Sequence, residues 1–191
     1  MIKREIIYTV FEKLNILSDD SNITEELVSS LIDTKRAMLL KQQYAKSAWH
    51  MPIEVKQELC MDLELVNAVD GYSCAGKILS TTVKLPSSIK IKGKEGPLNV
   101  RLSDGKAIAI NVIAIERIPF LFENKFTQHL TYCAVDFSGK LFLISKDNKH
   151  KFLKSIKVTD VFEAPDAARE LMCNVDLTKE AWEDEYPIEA S

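Results

Sequence analysis

The chain has 191 residues, of which 46% are hydrophobic and 28% charged, and its formal charge is −3. That length can bury a sizeable core, and the composition is that of an ordinary globular protein, not of a disordered chain. No apolar run reaches the roughly 18 residues of a membrane span, and charges interrupt the N-terminal MIKREIIYTVFEKL, so neither a span nor a secretory leader is expected.

A first helix is predicted over residues 3–14, with Ile6, Ile7, Val10, Phe11 and Leu14 on one face. The polar SDDS at 18–21 breaks it and leads into a long amphipathic helix over 22–44, the two forming a hairpin or an elbow. Asn22 with Glu25 three places on fits a capping pair. Leu27, Val28, Leu31, Ile32, Met38, Leu39 and Ala45 recur at helical spacing and make an apolar stripe built to lie against something. The second half adds Lys35, Arg36, Lys41 and Tyr44, a cationic end that suits the negative pole of the helix dipole. Pro52 then closes the helical region.

Beyond Pro52 the apolar period shifts towards two. Leu59, Met61, Leu63 and Leu65 alternate with Cys60, Asp62, Glu64 and Val66 as a half-buried strand. Leu79, Thr81, Val83 and Leu85 predict a second strand ending at Pro86, and Ile89 and Ile91 a short, edge-like third. Residues 107–115, apolar apart from Asn111, read as a central strand. HLTYCAVD and LFLIS flank FSGK as a hairpin with Gly139 in its turn, and FLKSIKVTDVFE is a further strand. A short helix over 166–173 and another turn of helix over 179–185 follow. The expected fold is α+β: an N-terminal helical hairpin (1–51), an antiparallel β-sandwich or open barrel of about six strands (52–163), and an acidic C-terminal docking segment with short helices (164–191).

Residues 160–191 hold ten acids and two bases, a charge of −8, so residues 1–159 carry +5. The acidic end also contains Trp182 and Tyr186, which a purely solvating tail would not need, so it is expected to dock on a basic neighbour. The four cysteines, at 60, 74, 133 and 173, show no CxxC pair and are expected to be reduced and buried. His129 and Cys133 lie four apart, two steps along a strand and too far for a nucleophile–base hydrogen bond. The three histidines lack ligand spacing, and the six glycines form no phosphate-cradling loop. No catalytic residue, cofactor or metal is therefore expected. Lysines cluster at 84–94 and 146–157 and could neutralise phosphates without reading sequence, so a nonspecific DNA-binding module is one alternative.

Several segments together resemble virion structural proteins of crAss-like bacteriophages. SDDSNITEELVSSLIDTKRAMLLKQQY is followed in order by LCMDLELV, ILSTTVKLPSSI, ERIPFLFENKF, LTYCAVDFSGKLFLIS, FLKSIKVTDVFEAP and WEDEYPI. The similarity spans most of the chain, and its strength lies in the order of the motifs. It implies a non-enzymatic neck or tail ring protein, or head–tail adaptor, made in the host cytoplasm and carried in the virion. The implied partners are further copies in a ring, commonly twelve, the portal protein, neighbouring ring proteins and, nonspecifically, the DNA in the channel. Lys35, Arg36, Lys41, Tyr44, Trp182 and Tyr186 are the expected partner contacts. A host-directed regulatory protein is the other alternative.

Overall fold

In a computed structural model the described residues are 3–17, 23–44, 52–67, 77–90, 99–103, 108–145 and 152–173. Helices α1 (Lys3–Leu17) and α2 (Glu25–Gln43) come first, and a 3-10 turn at Ile53–Val55 leads into the strands. These are β1 (Gln57–Asn67), β2 (Lys77–Thr81), β3 (Asn99–Leu102), β4 (Ala109–Val112), β5 (Tyr132–Val135), β6 (Leu141–Ile144) and β7 (Ser155–Asp160). Helix α3 (Ile118–Glu123) lies between β4 and β5, and α4 (Pro165–Arg169) follows β7.

The strands close into a barrel in the order β1-β2-β6-β5-β4-β3-β7, with β7 paired back on β1. Seven strands in a closed ring replace the expected sandwich or open barrel of about six. Closure leaves no long exposed edge to be guarded. The strand missed in the sequence is β3, four residues of which only Val100 is fully buried. Where a third strand is expected at Ile89 and Ile91, Ser88 makes an isolated bridge to Phe162, and Ile91 lies outside the described residues. β4 and β5 pair in parallel, the exception in an otherwise antiparallel barrel. A parallel pair needs a long crossover, and here the crossover carries α3.

Burial follows the strand period. β7 alternates throughout, with Ile156, Val158 and Asp160 inside. β6 is buried at all four positions. Leu141 and Leu143 point into the barrel with Leu59, Met61, Cys133, Ile156, Val158 and Phe162. Phe142 and Ile144 face outwards under α3, beside Tyr132, Ala134, Ile118 and Phe122. A strand covered on both faces reads as a continuous apolar run, as LFLI does.

The expected β5–β6 hairpin is present, and Gly139 adopts φ +82°. Asp136 fixes the turn, its carboxylate accepting from Lys140 N at 2.8 Å and its carbonyl from Gly139 N at 3.0 Å. A Cβ at Gly139 would meet open space, so the cost of Gly139→Ala is conformational only. We expect a loss of about 1 kcal/mol, read as a lower urea midpoint at unchanged slope.

The expectation of reduced, buried cysteines fails at one pair. Cys60 and Cys173 form a disulfide, with Cα atoms 5.1 Å apart, and Cys60 is exposed. They are 113 residues apart, so spacing could not reveal the pairing. What brings them together is backbone pairing of residues 171–173 along β1: Cys60 N donates to Leu171 O at 2.7 Å and Cys173 N to Glu58 O at 3.1 Å. A cross-link closing so long a loop restricts the unfolded chain. Reduction is therefore expected to lower stability by about 2 kcal/mol, and Cys173→Ser should abolish that sensitivity to reductant in thermal melts.

Candidate interaction surface

Helix α2 is held to the body along one face. Thr24, not Asn22, caps it, the hydroxyl accepting from Leu27 N at 3.3 Å. Asn22 lies outside the described residues. Ala37, Leu40 and Tyr44 pack with Val55, Ile89 and Val161, where β1 begins and β7 ends. Arg36, 4% exposed, donates to the carbonyls of Phe162 at 2.7 Å and Val55 at 3.4 Å. Its guanidinium therefore satisfies backbone acceptors at the two chain segments entering and leaving the barrel. Lys3, 1% exposed, bonds to Asp33 at 3.0 Å and also to Asp166, tying α1, α2 and α4 together. Lys41 pairs with Glu163 at 3.1 Å on the rim.

The opposite face of α2 carries, among polar side chains, a row of large apolar ones that is uncovered among the described residues. Leu27, Leu31 and Met38 are 49%, 52% and 51% exposed. At about 100° per residue they project within about 40° of one another, away from the buried Arg36 and Leu40. The stripe seen in the sequence is thus split: Leu27, Leu31, Met38 and Leu39 face out, whereas Val28 is buried and Arg36, Ala37, Leu40 and Tyr44 also face in. Beside Met38 runs a groove of about 940 Å³, floored by Ser30, Thr34 and Ala37 and bounded by Glu163. Of the expected contact residues, Lys35 and Lys41 are exposed. Arg36 and Tyr44 are interior and offer no surface to a second molecule. Trp182 and Tyr186 lie outside the described residues, as does the helix expected over 179–185.

A second apolar surface surrounds α3. Ile118 and Phe122 pack inwards, Phe122 edge-on to Tyr132 with ring centroids 6.3 Å apart. Phe120, Phe126 and Leu130 point out, at 73%, 91% and 46% exposure. The segment after the helix is tied down: Thr127 Oγ1 donates to Leu121 O at 2.7 Å, and Tyr132 Oη to Thr127 O at 3.0 Å. Asn124 Oδ1 accepts from Phe126 N at 2.9 Å, fixing the backbone from which that ring projects. Periodicity does not reveal this surface, because ERIPFLFENKF carries a proline and alternates too briefly to show a period. The available signal was two phenylalanines flanking the buried one.

The remaining candidates are a buried thiol and an exposed imidazole. Cys133 is sealed inside the barrel, where burial pushes its thiol well above the ordinary range and removes the thiolate nucleophile. His129 sits exposed in the loop before β5. Among the described residues no three His, Cys, Asp or Glu side chains are placed to hold a metal. No helix among them is long and apolar enough to cross a membrane. Of the expected lysine clusters, Lys157 is paired with Glu58 at 2.9 Å, while Lys84, Lys90 and Lys154 are exposed.

What this geometry offers among the described residues is two exposed apolar surfaces. A family model described as phage tail ring protein 2 matches residues 5–191. The chain is 31% identical over 193 residues to Ring protein 2 of Bacteroides phage crAss001, covering 99% of this chain and 84% of that protein.

Proposed function

The chain belongs to the phage tail ring protein 2 family of crAss-like phages, and from that premise we propose that it is a non-enzymatic subunit of a neck or tail ring through which DNA leaves the particle. The match along nearly the whole chain carries this reading. The outward apolar face of α2 supports it, since a rigid helix with three half-exposed large side chains in one row is suited to burial in an assembly. In this reading α1 and α2 form one hairpin that docks the subunit, twelve copies close a cycle, and the ring stacks below the portal protein. Lys35 and Lys41 serve the docking surface electrostatically, while Arg36 and Tyr44 hold the arm from within. The acidic C-terminal segment, with Trp182 and Tyr186, docks on a neighbouring basic surface. Contact with channel DNA is independent of sequence and falls to exposed cations such as Lys84, Lys90 and Arg101. Its signature is affinity that drops steeply with salt.

Mass spectrometry of purified virions tests this assignment. Peptides of this chain should persist through gradient purification alongside the other neck proteins. A protein made early in infection and missing from particles would instead be a host-directed regulator.

A further inference from the structure

Resting on the ring reading, we propose that the ring closes head-to-tail through two different apolar surfaces: the α2 stripe of one copy packs on the α3 segment of the next. A closed ring of identical subunits needs heterologous contacts, in which each copy presents one patch forwards and its complement backwards. The fold supplies such a pair. α2 is anchored on Val55 and Val161, at the start of β1 and the end of β7. α3 is anchored on the outer face of β5 and β6. In the strand order β1-β2-β6-β5-β4-β3-β7, β5 stands three strands from β1 in one direction and three from β7 in the other. The two surfaces are therefore separate, α2 at the barrel end where β1 begins and β7 ends and α3 on the outer wall over β5 and β6, so one copy can present each to a different neighbour.

Each surface is rigid. The stripe of Leu27, Leu31 and Met38 is fixed by the buried contacts of Arg36, Ala37 and Leu40 on the other side of the same helix. Phe120, Phe126 and Leu130 ride on a segment locked by the Thr127, Asn124 and Tyr132 hydrogen bonds. Preformed aromatic side chains meeting a row of aliphatic ones lose little conformational freedom on docking, and such residues dominate interface energetics. Pairing the stripe with the same stripe on a second copy would give a closed two-fold dimer and leave the α3 surface uncovered. Phe137 and Phe152 are also exposed, but each lies outside both segments.

The test uses two full-length double variants, Leu31→Asp with Met38→Asp, and Phe120→Asp with Phe126→Asp. All four side chains are at least half exposed, so both proteins should keep the far-ultraviolet spectrum of the parent. Under conditions where the parent forms rings, each variant alone should remain monomeric by mass photometry. Mixed in equal amounts, they should form a dimer and nothing larger, because only one good interface remains. Rings from either variant alone, or monomers in the mixture, would overturn the pairing without touching the ring reading, which the parent tests. Leu31→Cys mixed with Phe126→Cys under mild oxidation gives a second readout that does not depend on ring closure. A cross-linked dimer beyond that of either single variant is expected, and its absence would also overturn the pairing.

Discussion

Replacing Arg36 with methionine should destabilise the subunit by about 3 kcal/mol, whereas Lys35→Met, one residue away, should change stability by less than about 0.5 kcal/mol. Both residues belong to the cationic half of α2, and nothing in their sequence neighbourhood distinguishes them. The structure does: Lys35 is exposed, and Arg36 is 4% exposed with its guanidinium on the carbonyls of Phe162 and Val55. Methionine keeps the volume but leaves two buried acceptors without that donor. The Phe162 bond at 2.7 Å accounts for most of the loss, and the Val55 contact at 3.4 Å is weaker. Thermal melts should show a midpoint lowered by roughly 6–12 °C for a chain of this size. An Arg36→Met midpoint equal to that of Lys35→Met would mean that Arg36 is a surface contact and that α2 is turned the other way.

Phe162→Ala should cost still more, about 4 kcal/mol. The ring is fully buried in the barrel interior among Leu59, Met61, Ile156 and Val158, and truncation leaves a cavity that strands on all sides hinder from collapsing. The same residue is the main acceptor for Arg36, so the two sites are coupled. The double variant Arg36→Met, Phe162→Ala should lose less than the sum of the single losses, by about 0.5–1 kcal/mol. Once the cavity has loosened the backbone at 162, its carbonyl can find water. Full additivity in urea titrations would show that the helix and the barrel interior are energetically independent.

Much of the fold was legible where a period ran long enough to be read. β7 alternates cleanly in SIKVTD, and the β5–β6 hairpin is announced by two apolar runs about a glycine that does take positive φ. The two N-terminal helices were likewise visible, and the family emerged from the order of the motifs. Other features were closed to the sequence for physical reasons. β3 is four residues among lysines and glycines, too short for a period, and exists because β7 and β4 flank it. The parallel β4–β5 pairing depends on how α3 crosses over the sheet, which is a tertiary choice. The Cys60–Cys173 link depends on residues 171–173 returning to β1.

The orientation of α2 is the instructive failure. An apolar stripe at helical spacing says that a helix has two faces, not which one meets its own body. Here Ala37 and Leu40, with Arg36 and Tyr44, meet the barrel, and Leu27, Leu31 and Met38 are exposed. Arg36 could serve as an interior residue because free carbonyls at Phe162 and Val55 await a donor, and that demand is invisible until the barrel ends are placed. Of the expected contact residues, two therefore moved inside, and the surfaces that emerged instead are Leu27, Leu31 and Met38 on α2 and Phe120, Phe126 and Leu130 on α3.

Counting this chain in the particle tests the ring assignment most directly. Quantitative mass spectrometry of purified virions, with peptides from this chain measured against isotope-labelled standards and normalised to the portal protein, gives copies per particle. A ring subunit should be present in a fixed multiple matching one closed ring, about twelve copies. Absence from the virion, or one or two copies per particle, would contradict the account.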